Sequence, residues 1–183
     1  MPARNDDLRD ALKRAASAFK EHGPAFALAG SYALWVYGAP EPVHDVDFVV
    51  AEPDIEAAAL TLEKVGFSIE RTPEDWLFKA CVGDDFVIDV LHQLNGKPVD
   101  ANAIAAAEEL DVLAIRMPVL SPTYVFTEKL SALNEHNCDF TALLPAARAV
   151  RERLDWKQLH AATADNPYAG AFLFLADRLA ITG

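Results

Sequence analysis

Apolar and polar positions in the first 120 residues follow two periods, one typical of helices and one typical of strands. Between Leu8 and Phe19, apolar residues recur at helical spacing, which predicts a helix that ends at Gly23-Pro24. Similar spacing predicts helices over about residues 54–65 and over Ala101–Glu109. Short runs rich in β-forming residues predict strands at Phe26–Ala29, Val46–Val50, Phe67–Glu70, Trp76–Val82, Phe86–Leu91 and Val112–Val119.

Turn and cap residues connect these elements. Gly30-Ser31 predicts a strand-to-helix turn, and Gly83-Asp84-Asp85 predicts a hairpin between its two flanking strands. Beyond residue 120 the pattern is helical, with Ser121-Pro122 as the first start signal and helices near residues 122–135, 139–153, 155–163 and 168–180. The pattern therefore predicts an α/β (α+β) fold, in which residues 1–120 form a mixed sheet with flanking helices and residues 121–183 form a helical region packed on it.

Composition narrows the class of protein. Of the 183 residues, 52% are apolar, which is enough for an ordinary folded core. The two cysteines, Cys81 and Cys138, do not make a disulfide framework. The chain starts with charged residues, and its longest apolar runs are too short or too interrupted to span a bilayer. We expect a cytoplasmic protein with no membrane partner.

The formal net charge of −12 argues against a broad surface for nucleic acid. Basic residues nevertheless cluster near both ends of the chain, for example Arg148, Arg151 and Arg153. These clusters are either solvated helix faces or a local basic patch.

Two acidic residues stand at the start of a strand that is otherwise apolar. Asp45 and Asp47 are two positions apart, so both project from the same face of the strand Val46–Val50. Adjacent like charges at a buried strand are unfavourable unless a cation pairs them. Mg²⁺ is the natural candidate, because hard cations prefer carboxylate oxygens and nucleotide phosphates supply further ligands.

A third carboxylate, Asp89, interrupts the apolar run Phe86–Leu91. If that strand neighbours Val46–Val50, Asp89 completes a three-carboxylate site for two metal ions, which would serve a triphosphate and an attacking hydroxyl. Gly30 would let a phosphate approach the backbone, and the Ser31 hydroxyl could donate to it. Taken alone, Gly30-Ser31 is also compatible with an ordinary strand-to-helix turn. Asp45 and Asp47 alone are also compatible with solvated acids at the end of a strand.

Together, Gly30-Ser31, Asp45-Val46-Asp47 and Asp89 stand in the order of a known signature. They resemble the nucleotidyltransferase superfamily related to DNA polymerase β, over roughly residues 24–120. Within it, the chain is most similar to the short bacterial nucleotidyltransferases of the abortive-infection-toxin type. That resemblance implies a role for Lys129 in holding the triphosphate. It leaves Asp139 as either a further site residue or a helix cap.

The resemblance implies a nucleotidyltransferase that moves an NMP group from an NTP, such as ATP, to a hydroxyl acceptor, with two Mg²⁺ ions as cofactors. Asp45, Asp47 and Asp89 would be catalytic and metal-binding, while Gly30, Ser31 and Lys129 would bind the nucleotide. The acceptor could be tRNA, a protein or a small molecule such as an antibiotic, and partners could include a cognate antitoxin. A non-catalytic member that binds a nucleotide or a partner protein is the alternative.

Overall fold

The structure is a computed structural model that describes residues 2–73, 75–83 and 85–182, with backbone only for residues 2–4 and 85–87. The chain divides into two compact units. The first contains the residues up to Tyr32 together with Pro42–Leu120, and the second contains Ala33–Glu41 together with the residues from Ser121 onward. The domain division predicted at residue 120 stays a prediction, although residues 33–41 group with the C-terminal part.

A seven-stranded mixed sheet forms the centre of the first unit. Within the described residues, strands β1 to β9 are Phe26–Leu28, Val46–Val50, Ser68–Arg71, Leu77–Val82, Asp85–Leu91, Gln93–Leu94, Lys97–Pro98, Glu108–Val112 and Ile115–Val119. The sheet has the order β3-β4-β5-β2-β1-β9-β8, and β6 pairs with β7 separately. The pairs β2–β5 and β1–β9 are parallel, whereas the other pairs of the sheet are antiparallel. The predicted mixed α/β class is confirmed.

Each helix predicted from the sequence has a counterpart in the structure, but the helices predicted near residues 122–135 and 139–153 are shorter, at Pro122–Ser131 and Leu143–Val150. In the same described ranges, helices α1 to α8 are Pro2–His22, Gly30–Val36, Ile55–Lys64, Ala101–Ala105, Pro122–Ser131, Leu143–Val150, Trp156–Ala162 and Pro167–Arg178. The Tyr124 N–H donates to Ser121 Oγ at 3.2 Å, with Pro122 in the first helical position, as the sequence predicts. None of the helices among the described residues is long and apolar enough to cross a membrane.

The segment between residues 101 and 119 differs from its prediction. The helix predicted over Ala101–Glu109 ends at Ala105, because the residues from Glu108 onward pair with β9 instead. The strand predicted over Val112–Val119 is broken by a two-residue turn, in which Leu113 and Ala114 have φ of +51° and +67°. Such turns favour Gly, Asn or Asp, so the sequence carries no signal for this hairpin.

One face of the sheet is covered by α1 through an aromatic cluster. The ring of Phe19 lies 5.2 Å from that of Phe26 and 5.6 Å from that of Phe48, measured between centroids. All three side chains are buried. Because strand side chains alternate, burial of Phe48 on the α1 side places Asp47 on the opposite face of β2. Packing of the core therefore fixes the face on which the acidic residues stand.

The second unit is helical and is held by an aromatic cluster and by one asparagine. Phe140 and Phe126 both contact Phe172, at centroid distances of 5.4 and 6.3 Å. Asn166 Nδ2 donates to three carbonyls at the end of α5 and just beyond it, those of Leu130, Ser131 and Leu133, at 2.9–3.3 Å. Its Oδ1 accepts the first N–H groups of α8. Asn166 thus satisfies the end of one helix and the start of another.

Replacing Asn166 by Ala is expected to lower the free energy of unfolding by about 2–3 kcal/mol, because both a helix cap and the bonds to the α5 carbonyls are lost. Urea unfolding followed by circular dichroism measures the change. Asn102→Ala is the matched control, since the Asn102 side chain is exposed and its amide group donates to the nearby Asp100 carboxylate. Equal stabilities of the two variants would contradict this role for Asn166.

Candidate functional site

Three neighbouring strands carry a row of charged side chains across one face of the sheet. In the parallel pair β2–β5, Asp47 is the direct partner of Asp89, and in the antiparallel pair β4–β5, Asp89 is the direct partner of Lys79. Partners in register project from the same face, with Cβ atoms roughly 5 Å apart. Asp45 immediately precedes β2, two positions before Asp47. The neighbouring strands predicted for the acids are therefore present.

Gly30 lies directly under the carboxylate of Asp47. A Cβ atom built on Gly30 would overlap Asp47 Oδ2 and lie 2.6 Å from Asp47 Cγ, so only glycine leaves room for this carboxylate. Gly30 also has a φ of +57°, in the left-handed region that side chains disfavour. The Ala29 N–H donates to the Asp47 carbonyl oxygen at 2.9 Å, which fastens the turn to β2. Asp47 can therefore take this position only because residue 30 is glycine.

Lys79 holds both oxygens of Asp89. Its Nζ lies 2.7 Å from Asp89 Oδ1 and 2.8 Å from Asp89 Oδ2. The side chains of Lys79 and Asp89 are 31% and 12% exposed, so water screens the pair only in part. Lys79 was not predicted as a site residue from the sequence. The signal was available, because one Lys interrupts the apolar strand Leu77–Val82 in the same way as Asp89 interrupts its own strand.

The pKa values of this ion pair reflect burial and the surrounding acids. Burial raises the pKa of Asp89, the nearby Asp45 charge adds to the rise, and the Lys79 ammonium opposes both. Burial alone would lower the pKa of Lys79, but the hydrogen bond to Asp89 and the charges of Asp89, Asp45 and Asp47 outweigh it and raise the pKa overall. Lys79 therefore stays protonated among the acids.

The donor chemistry of the row fits a hard divalent cation in part. Asp45 and Asp47 supply carboxylate oxygens, which such ions prefer. Across the described ranges, however, no three His, Cys, Asp or Glu side chains are grouped closely enough to hold a metal ion. Both oxygens of Asp89 face the Lys79 ammonium instead. Asp45 and Asp47 thus supply ligand atoms of the right kind, and Asp89 is bonded to Lys79.

The other residues singled out by the sequence lie elsewhere or act locally. Ser31 is the second residue of α2, next to Gly30. Lys129 is a half-buried residue of α5 in the second unit, and its role in triphosphate binding stays a prediction.

Asp139 is exposed and accepts the Thr141 N–H at 2.8 Å, and its hydrogen bonds from the Thr141 hydroxyl and N–H lower its pKa. Asp139 therefore caps a local turn, and Asp84 of the predicted hairpin loop lies outside the described residues.

Comparisons with known proteins find the fold rather than a sequence family. No family model matches the chain, and no curated protein matches its sequence. Among solved structures, the antibiotic-resistance factor ANT(2'')-Ia in solution gives a TM-score of 0.67 at 13% identity, over 95% of this chain and 98% of its own. A crystal structure of ANT(2'')-Ia in complex with adenylyl-2''-tobramycin gives 0.60 at 12% identity, over 90% and 95%.

A third solved structure supports the same architecture. The antigenic nucleotidyltransferase-like protein from Paracoccidioides brasiliensis gives a TM-score of 0.53 at 14% identity, over 92% of each chain. At these identities the likeness concerns the fold, and it agrees with the resemblance carried by Gly30-Ser31, Asp45-Val46-Asp47 and Asp89. The chain has the fold of the nucleotidyltransferase superfamily.

Proposed function

We propose that the protein transfers an NMP group from an NTP to a hydroxyl acceptor and requires Mg²⁺. The observation that carries the proposal is the row in which Asp47 stands beside Asp89 and leans over Gly30. Two adjacent carboxylates destabilise a pair of otherwise apolar strands unless cations compensate their charges. We infer that a bound metal ion is one of these cations. The nucleotidyltransferase fold of the chain supports this use.

Each residue of the row has a proposed role. Asp45, Asp47 and Asp89 would hold the two Mg²⁺ ions, and Asp89 would also help to activate the acceptor hydroxyl. When bound, the ions would supply charge stabilisation at the phosphates and a lower pKa for the attacking hydroxyl. The space left by the missing Gly30 side chain is taken by the Asp47 carboxylate, so the proposed phosphate contacts are the backbone of the Gly30-Ser31 turn and the Ser31 hydroxyl, which would donate to the phosphate. Lys129 is proposed as a further triphosphate contact.

A small cationic acceptor is the candidate that the observations favour. The ANT(2'')-Ia structure with adenylyl-2''-tobramycin contains a nucleotidylated aminoglycoside, and the solution structure of ANT(2'')-Ia matches this chain over nearly its full length. Aminoglycosides carry several amino groups, and a protein with a net charge of −12 attracts such molecules and repels tRNA. A tRNA or protein acceptor, a cognate antitoxin and a non-catalytic regulatory role stay predictions of the sequence.

Asp47→Asn is expected to reduce nucleotidyl transfer at least about 100-fold, because it removes a charge that must face the metal and the transferred phosphate while keeping the side-chain shape. The measurement is transfer of α-³²P label from each of the four NTPs, with Mg²⁺, into tobramycin, bulk tRNA or the protein fraction of a cell extract.

The matched control for Asp47→Asn is Asp111→Asn, because Asp111 is an exposed acid whose ion pair with Arg116 is long, at 3.8 Å. The control is expected to keep full transfer. Full transfer by Asp47→Asn would overturn the mechanism. Mg²⁺-dependent NTP binding without label in any acceptor would favour the regulatory role.

Gly30→Ala is expected to destabilise the protein by about 1–2 kcal/mol through its backbone conformation. It should also lower transfer about tenfold or more, because the new methyl group displaces the Asp47 carboxylate. Gly96→Ala is the control, since Gly96 has a similar φ of +73° but nothing within 4 Å of an added Cβ. The control should lose comparable stability and keep transfer. Thermal unfolding and the label assay give the two readouts, and equal transfer by both variants would contradict the assigned contact.

A further inference from the structure

The ion pair between Lys79 and Asp89 occupies the one carboxylate that a second metal ion would need. Both Asp89 oxygens lie within 2.8 Å of the Lys79 ammonium. A divalent cation bound to the same carboxylate would sit within about 2.1 Å of an oxygen. The ion and the Lys79 ammonium would then be neighbours on the same carboxylate. They would repel each other strongly, because the site is partly buried and water screens their charges poorly. The ammonium and the ion therefore compete for Asp89.

We propose that Lys79 is a positioning residue that excludes a divalent cation from Asp89, so that the site takes one ion at Asp45 and Asp47 and takes a second only when Lys79 leaves. This inference rests on the proposed function for the presence of the first ion. Lys79 is well suited to the role because it faces Asp89 directly across the β4–β5 pair.

The charges around Lys79 explain why the ammonium stays in place before substrate arrives. Asp45, Asp47 and Asp89 are three carboxylates on or next to neighbouring strands, and the Lys79 ammonium is bonded to Asp89 on the face that carries Asp47. A flexible lysine can move away without refolding the sheet, since its backbone is fixed by β4 while its four-carbon stem can swing. Lys79 thus works as an exchangeable internal cation.

The test is a Mn²⁺ titration of the nucleotide-free protein followed by electron paramagnetic resonance. The loss of the six-line signal of free Mn²⁺ counts bound ions, and a coupled spectrum identifies two ions roughly 4 Å apart. Coupling separates a second ion in this site from ions bound elsewhere on an acidic surface. The wild-type protein is expected to bind one uncoupled ion in the site.

Lys79→Met, which keeps the side-chain bulk without the charge, is expected to bind a second, coupled ion at least tenfold more tightly than the wild type. Lys79→Arg keeps a cation opposite Asp89 and should behave as the wild type does. Lys79→Gln serves as a second neutral variant if Lys79→Met does not fold. Thermal unfolding of each variant checks that the fold is retained.

Equal second-ion affinity and equal spectra in the wild type, Lys79→Met and Lys79→Arg would overturn the inference. So would a coupled pair already present in the wild type at the affinity seen in Lys79→Met. If no variant binds Mn²⁺, both this inference and the proposed metal dependence fail. If the second ion appears in Lys79→Met but no acceptor is ever labelled, the inference stands and the proposed transfer fails.

Discussion

The parallel pairing of β2 with β5 puts the carboxylates of Asp47 and Asp89 side by side on one face of the sheet. Like charges in register destabilise a sheet, so this pairing needs compensation from its surroundings. Lys79 provides part of it from the next strand, and Gly30 provides space on the other side by having no side chain under Asp47. The geometry of the site follows from this one unfavourable juxtaposition and from the residues that make it tolerable.

The sequence predicts much of this arrangement because the relevant signals are local. Strand alternation places Asp45 and Asp47 on one face, and β-branched residues mark Val46–Val50 with the bounds that the structure has. The adjacency of Asp89 follows from the order of the signature rather than from any local property. The stacking of Asp47 over Gly30 gives a physical reason for that signature, since any larger residue at position 30 would collide with the acid.

Features that depend on register between strands could not be predicted with the same ease. The partner of Asp89 is set by how β4 and β5 align, and an irregularity between Ala80 and Cys81 shifts that register midway. The turn at Leu113 and Ala114 has left-handed backbone angles without the residues that usually adopt them, so pairing of β8 with β9 overrides local preference. By contrast, the Asn95-Gly96 pair is a clear sequence signal for a hairpin turn, and the two residues have φ of +50° and +73° in the structure.

Charge links the site to the choice of substrates. Three carboxylates and the Lys79 ammonium make up the row, and the whole chain carries a net charge of −12. A protein with this charge repels a free nucleoside triphosphate. Under the proposed function, the NTP must therefore arrive with its own divalent cation. Under the same proposal, the negative potential would attract a cationic acceptor and repel an RNA acceptor. The ion that brings the nucleotide is then the one that Asp45 and Asp47 can accept without disturbing Lys79.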